Sequence, residues 1–464
     1  MVCEGCTQRR RAAERAHYPP ISFLLSHFSY LLSPISFLLF SHLCAMNSIN
    51  TDVCILGAGP GGAAAALFLA KEGIPCVIVD KAIFPRDKVC GDALSGKVVE
   101  ILNRYDRKLV ERLSNDSIQL NCWGVTFVAP NLEELSIPFR NKPKDPEKAR
   151  EIAPGFISKR VDFDNFMVEE LKKHGSIQLL QGVDIDKFER NADGFSLMDK
   201  DGNYHIQAKL VIDASGAHSQ FAKKIGGLEV EKEHHCAGLR WYYEGVEGMK
   251  EGNYIELHFL KDFLPGYFWI FPLANGQCNV GVGMRSDYVS KKRINLKQEL
   301  QDIIQKYPQL RERFKNAKPV DDIRGYGLPL GSKQRKISGD NYMLVGDAAS
   351  LIDPFTGEGI GNAILSGYTA AQQAKTAIEG RNFSAAGLKD YDLAIYRRLG
   401  GELKLSYRMQ RLVKYPWLFN FVVRKANRNK TLRETIMVMF EDIDLRDRLR
   451  KPSFYFKLLF SGKN

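Results

Sequence analysis

Two short apolar runs, Thr51–Leu56 (TDVCIL) and Cys76–Val79 (CVIV), flank a glycine cluster and an alanine-rich stretch. Runs of this length and β-branched character mark strands buried on both faces of a parallel sheet. Between them, Ala63–Lys71 (AAAALFLAK) is a strong helix former with small residues on the side that must approach a strand, and Gly73 ends it. The pattern predicts a strand–helix–strand unit. A third run, Tyr342–Val345 (YMLV), predicts another buried strand, followed by the glycine-rich segment Asp353–Ala363 and a helix. In Tyr267–Phe271 the aromatic spacing puts Tyr267, Trp269 and Phe271 on one face of a strand. From 396 to 430, ten Lys/Arg and one acid, Glu402, interleave with Tyr407, Tyr415, Trp417, Phe419 and Phe421. That spacing predicts a helical region with basic and aromatic faces.

The glycines give the first unit a chemistry. Gly57-Ala58-Gly59-Pro60-Gly61-Gly62 fits the G-x-G-x-x-G fingerprint of a dinucleotide site. Gly57 permits the tight turn, Gly59 lets the backbone approach a pyrophosphate, and Gly62 lets helix and strand pack closely. The helix N-terminus offers N–H donors and a positive dipole to the phosphates. Asp80, with Lys81 beside it, stands 18 residues after Gly62, placed to accept hydrogen bonds from an adenosine ribose. The fingerprint alone does not separate FAD from NAD. Residues 341–367 do. Gly346-Asp347 at the end of the third run can present a carboxylate to ribityl hydroxyls. Gly357, Gly359, Ile360 and Gly361, at the entrance of the following helix, aim N–H groups at the N1–C2=O edge of a flavin, where reduction places negative charge.

These two halves resemble the glutathione-reductase-like FAD fold, in the branch of the para-hydroxybenzoate hydroxylases and geranylgeranyl reductases, from about residue 50 to about 380. Val211-Ile212-Asp213-Ala214-Ser215-Gly216-Ala217-His218-Ser219 resembles that branch's middle motif, with Ser-Gly where the hydroxylases have Asp-Gly. Arg160, in SKRVDFD, matches the family arginine on the segment re-entering the FAD domain. Phe84–Asp92 (FPRDKVCGD) is similar to the Lys-x-Cys-Gly segment of geranylgeranyl reductases, which passes the flavin. There the resemblance gives Arg86 to the pyrophosphate, Gly91 to close approach to the ring, and Cys90 either to space-filling beside the flavin or to catalysis. A reactive thiol needs a depressed pKa, for which Lys88 and Arg86 are the nearby causes. Pro265–Pro272 (PGYFWIFP) resembles the reductases' Pro-x-x-Tyr-x-Trp-x-Phe-Pro with one residue fewer before the tyrosine; it fits the halogenases' Trp-x-Trp-x-Ile-Pro less well. Its three same-face aromatics make either sheet core or a wide apolar wall for a polyprenyl chain.

Composition adds limits. The nine cysteines form no Cys/His cluster, and their one CxxC spacing, Cys3–Cys6, lies within residues 1–45, so neither a zinc site nor a disulfide scaffold has support, and Cys54 and Cys76 read as small core residues. The net charge is +12, most of it outside residues 1–45. The basic aromatic region from 396 lacks a nucleic-acid-binding module and suits a membrane surface or a solvated cap better. Residues 21–43 carry no charge and are long enough to span a bilayer. The arginines before them would export the rest of the chain. The preferred reading makes 1–45 a misassigned start before Met46, the other an anchor.

The sequence therefore implies a mixed α/β protein. Residues 46–120, 156–228 and 320–380 make a discontinuous FAD-binding Rossmann domain. Residues 121–155 and 229–319 make an interleaved antiparallel substrate sheet, with Pro138–Arg150 a surface loop, and 381–464 a helical basic region. The implied function is FAD-dependent reduction of isolated C=C bonds in an isoprenoid, a geranylgeranyl lipid or a quinone side chain. Cys90, Tyr267 and Trp269 would be catalytic, and Tyr267, Trp269 and Phe271 would hold substrate. NAD(P)H or a ferredoxin would be the donor, in the cytoplasm or at the inner membrane face. The alternatives are a flavin monooxygenase or halogenase, a non-redox isomerase or cyclase, and an FAD-binding protein without turnover.

Overall fold

The computed structural model describes residues 46–139, 152–429 and 432–433. The uncharged 21–43 stretch, most of the Pro138–Arg150 loop and the last thirty or so residues lie outside them.

The apolar runs form the centre of the first sheet. Its order is Ser338–Gly339, Tyr342–Leu344, Tyr204–Asp213, Asn47–Leu56, Cys76–Asp80, Ile177–Gln181, with Gly194–Asp199 and Ile185–Asn191 continuing off Tyr204–Asp213. The pairings Cys54↔Val77, Val77↔Gln178 and Val211↔Tyr342 are all parallel. The central strand segments Val53–Leu56, Cys76–Asp80 and Leu210–Asp213 are buried at every position, which is why the sequence shows runs there rather than alternation. The helix after the first strand spans Pro60–Lys71 and starts three residues before the alanine pattern. Pro60 has no N–H to lose and a φ already suited to the first turn. Residues Pro60–Leu69 are all buried, because the long helix Ile360–Glu379 packs against this one.

The second sheet runs Lys318–Pro319, His235–Glu244, Gln277–Arg285, Tyr267–Pro272, Ile255–His258, Gly124–Val128, Glu134–Pro138. It is antiparallel except where Gly124–Val128 pairs parallel with Ile255–His258. That exception corrects the expected all-antiparallel sheet. The two strands are separated by the whole return of the chain through the first sheet, so no hairpin dictates their direction. A second correction concerns Arg324–Pro329, assigned by sequence to the first domain. It pairs with His235–Glu244 in the second sheet.

The alternation in Tyr267–Pro272 holds. Tyr267, Trp269 and Phe271 pack with Phe127, Leu257 and Phe355, while Phe268 and Ile270 pack on the other side with Val280, Val282 and Leu300. The helix Leu296–Lys306 covers that outer side with Leu300, Ile303 and Ile304. Each such side chain contributes about 1.5–3 kcal/mol by leaving water.

A buried ion pair braces this sheet. Glu256 lies 2.9 Å from His258 Nε2 and accepts from Arg313 at 2.7 and 2.9 Å. Burial raises its pKa, but the hydrogen bonds from His258 and Arg313 outweigh that and lower it to about 2. A depressed carboxylate pKa adds stability that is present above pH about 4.5 and lost as pH falls toward 2. Glu256→Gln should therefore destabilise the protein at pH 7 by roughly 3 kcal/mol and flatten the acid limb, read by denaturant unfolding at pH 7 and pH 3.

Candidate active site

A cavity of about 2160 Å³ runs from the glycine fingerprint to the aromatic strand. Gly57, Gly59, Gly61, Asp80, Lys81 and Arg86 line its first part. Gly57 has φ +97° and sits against Ala214; a Cβ there would lie 2.5 Å from the Ala214 carbonyl oxygen. A Cβ at Gly59 would meet only the Arg86 guanidinium, at 3.6 Å. The backbone at Gly59 is thus bare toward the cavity at the N-terminus of Pro60–Lys71, with a cation beside it. That cradle fits a pyrophosphate. Gly62 is different. It lies behind the wall, where a Cβ would be 1.8 Å from the Gly57 oxygen. Asp80 is braced, accepting from Ala58 N and Ala82 N, each at 2.8 Å. It keeps lone pairs for a ribose, since a carboxylate can accept about four bonds.

Arg86 and Arg160 converge on Asp164. Arg160 gives Asp164 a two-pronged bond at 2.7 and 2.6 Å, and Arg86 reaches the same carboxylate. Arg160 is 2% exposed, so it is a buried anchor on the cavity wall and not part of a surface cap. Asp347 also faces the cavity and pairs with Lys88 at 2.9 Å. Gly357, Gly359 and Ile360 line the cavity at the start of Ile360–Glu379. Gly361, expected among them, does not. A Cβ there would strike Glu358 Oε1 and Ser95 Oγ, so this glycine makes room for the Glu358 contacts that tie the turn to Ser95 and Lys97.

Gly91 has a second neighbour besides the cavity. It lines the cavity, but its Cβ direction points at Phe271, 3.0 Å away, so its smallness admits the aromatic strand. Tyr267 donates to the Thr356 carbonyl at 3.0 Å, stitching the second sheet to the Gly357 turn. Trp269 donates from Nε1 to Asn279 Oδ1 at 2.8 Å. Tyr267, Trp269 and Phe271 all line the cavity, which continues between apolar side chains such as Phe127, Leu257, Phe355, Phe419 and Val423.

The FAD binding domain family matches residues 50–393. A digeranylgeranylglycerophospholipid reductase of Methanosarcina acetivorans is 31% identical over 372 residues, covering 76% of this chain and 83% of its own. The chain belongs to the geranylgeranyl reductase family of FAD-dependent oxidoreductases. A menaquinone reductase of Mycobacterium tuberculosis is 29% identical over 345 residues, 70% of this chain and 76% of that one. The crystal structure of a geranylgeranyl bacteriochlorophyll reductase-like protein from Thermoplasma acidophilum shares the fold, with TM-score 0.70, 24% identity, 87% of this chain and 99% of that chain.

Within this reductase family site, Cys90 departs from the sequence expectation. Burial pushes its thiol pKa up, and the positive charge of Arg160 does not offset it. Lys88 is engaged by Asp347 and Arg86 by Asp164, so neither makes Cys90 a thiolate. The cysteine is a protonated thiol on the cavity wall. The sequence reading also missed Asp92, Tyr242 and Asn279, a polar network at that wall, which Asp92 itself lines. Its one signal is Asn279, a polar residue in the apolar strand QCNVGVGM.

Proposed function

We propose that this protein is an FAD-dependent reductase that saturates C=C bonds of an isoprenoid chain, a geranylgeranyl lipid or a quinone side chain. The observation that carries the reading is the continuity of one cavity from a dinucleotide cradle to an aromatic, apolar channel. Gly57, Gly59, Gly61 and Arg86 would hold the pyrophosphate, Asp80 and Lys81 the adenosine ribose, and Asp347 the ribityl chain. The N-terminus of Ile360–Glu379, with Gly357 and Gly359, would face the flavin. FAD, when bound and reduced, supplies hydride.

The rest falls to the protein. A trisubstituted alkene is electron-rich, so a proton must reach it before or with the hydride. The developing tertiary cation needs a negative surface without a nucleophile. The faces of Trp269 and Tyr267 provide one, each worth about 0.5–2 kcal/mol toward a cation. The apolar wall excludes water, which would trap the cation as an alcohol. Cys90, a thiol on the cavity wall, would give up the proton. NAD(P)H or a ferredoxin would reduce the flavin, and stopped-flow mixing with each separates the two. Anaerobic mixing of the dithionite-reduced protein with a geranylgeranyl lipid should restore the oxidised flavin spectrum. A flavin that stays reduced until oxygen is admitted points to a monooxygenase.

We propose further that the second sheet and the C-terminal helices form the lipid side and lean on a membrane. No helix among the described residues is long and apolar enough to cross one. Phe419 and Val423 of the helix Pro416–Arg428 face the cavity, while Trp417 (69% exposed), Phe421 and Tyr415 are exposed. Lys414 lies over the Tyr415 ring at 5.1 Å, and Arg411, Lys425 and Arg428 stand within a few positions of these aromatics in the sequence. Exposed aromatics among basic residues suit an anionic interface. Trp417→Ser with Phe421→Ser should weaken sedimentation with anionic vesicles at least tenfold, leaving turnover of a short, detergent-dispersed prenyl substrate within about twofold.

A further inference from the structure

One lysine joins three segments at the glycine turn that would face the flavin. Lys97 stands in the first turn of the helix Gly96–Tyr105, where a cation opposes the positive end of its own helix. It is buried all the same, 6% exposed. Its ammonium donates to Asn362 Oδ1 at 2.7 Å, to Glu402 Oε1 at 2.7 Å and to Glu358 Oε2 at 3.2 Å. Asn362 belongs to the helix Ile360–Glu379, Glu402 to the helix Ala385–Leu412, and Glu358 to the turn, between Gly357 and Gly359.

Glu358 also bonds away from the lysine. Its Oε1 accepts from Gly361 N at 2.9 Å and from Ser95 Oγ at 2.8 Å. A carboxylate therefore sits on the N-terminus of Ile360–Glu379 and cancels part of the positive end of that helix. The turn is fastened around it. Asp353 N donates to the Glu358 carbonyl at 2.9 Å, Gly357 N donates to the Asp353 carbonyl at 3.0 Å, and the Asp353 carboxylate accepts from Phe355 N and Thr356 N at 2.9 Å each. Lys97, Glu358 and Glu402 all line the cavity with Gly357 and Gly359. The ammonium shares its charge between two carboxylates and lies closer to Glu402, so Glu358 is only partly neutralised.

We propose that Lys97 and Glu358 are opposed charges that set the reduction potential of a flavin held at the Gly357–Ile360 turn. The proposal goes beyond the reductase reading and rests only on FAD lying with its N1–C2=O edge at that turn. Two electrons and one proton convert oxidised flavin into its anionic reduced form, and the added negative charge gathers at that edge. The helix end favours that charge and Glu358 opposes it, which lowers the potential and makes the cofactor a stronger hydride donor. Lys97 limits how far the potential falls. Neither residue touches the reacting carbons; both act through the charge they hold beside the turn.

Potentials are read on the holoenzyme, without lipid, by slow anaerobic reduction beside a dye of known potential. Glu358→Gln keeps an acceptor for Gly361 N and removes the charge. Its reduced-to-oxidised flavin ratio at a fixed potential should rise about tenfold, which is about 30 mV for a two-electron couple. Lys97→Met should lower the ratio by about the same factor, and Lys97→Arg, which keeps the charge, should stay within about threefold of wild type. The double variant Lys97→Met with Glu358→Gln should return toward wild type. A packing defect gives no such pair of opposite signs. Where Lys97→Met does not retain FAD, Glu358→Gln and Glu402→Gln decide; the latter leaves Lys97 to Glu358 and should shift the ratio in the other direction from Lys97→Met. A Glu358→Gln ratio within about twofold of wild type, or a shift of the same sign in Glu358→Gln and Lys97→Met, overturns the proposal. A wild type that saturates no prenyl chain would sink the reductase reading and leave the potentials standing, whereas unmoved potentials in a protein that saturates such chains would do the reverse.

Discussion

Gly62→Ala should give a protein that fails to retain FAD and melts well below wild type, whereas Gly59→Ala should keep the fold and lose only cofactor affinity. The difference lies in what each new methyl group meets. At Gly62 it would lie 1.8 Å from the Gly57 carbonyl oxygen and 3.2 Å from Ile55 Cγ2. Both belong to the strand and turn that anchor the first sheet, so relief requires moving backbone. Overpacking a core ordinarily costs 1–3 kcal/mol, and a backbone clash of this depth belongs at or above the upper end, about 3 kcal/mol or more. At Gly59 the methyl group meets only the mobile end of Arg86 at 3.6 Å, yet it fills the space where the chain would touch a pyrophosphate. Thermal melting with and without added FAD, alongside the flavin-to-protein absorbance ratio, separates the two. Equal melting temperatures with equal flavin loss would contradict this division of roles.

The second large effect is expected at Asp164. Its carboxylate is fully buried and is the shared partner of Arg160 and Arg86. Burial acts to raise its pKa, and the two guanidinium groups more than offset that, leaving it below the ordinary value of 3.8. Asp164→Ala leaves the 2%-exposed Arg160 as a buried charge without its counterion. Breaking one side of such a pair typically costs 3–5 kcal/mol, more than the pair itself contributes. Urea unfolding at pH 7 should show a loss of about that size, about 3–5 kcal/mol. The sign with pH follows from the lowered pKa. Wild type holds this contribution above pH about 3.8 and loses it as pH falls through the folded-state value, so the gap between wild type and variant should narrow in acid. Arg160→Met tests the reverse side, and Arg86, still paired with Asp164, should soften the loss.

The legible parts of this fold are those where one residue type is dictated by backbone geometry. The Gly57 turn and the Gly62 contact tolerate only glycine, and Gly59 leaves its backbone bare toward the cavity, so the fingerprint announces strand, turn and helix together. Continuous apolar runs announced the parallel strands, because both faces of that sheet are covered. The same logic failed where several glycines sit together. Nothing in GEGIG distinguishes Gly359, which faces the cavity, from Gly361, which faces Glu358 and Ser95. Nor did the sequence show that Gly91 yields to Phe271, since that contact joins residues 180 positions apart. The strand Arg324–Pro329 was misassigned because no turn or composition change marks its return to the second sheet. The network of Asp92, Tyr242 and Asn279 was invisible for the same reason. Its polarity is divided among three segments, each of which reads as an isolated polar residue, and no motif marks the buried Arg240 beside it.

A cavity that delivers a proton and a hydride to an isolated double bond must leave its mark on the lipid. The most direct test is mass spectrometry of a geranylgeranyl lipid after anaerobic incubation with the reduced protein started at Met46. Products heavier by whole pairs of hydrogens are expected, formed in step with flavin oxidation. A lipid of unchanged mass beside oxidised flavin, or oxygen incorporated once air is admitted, would contradict it.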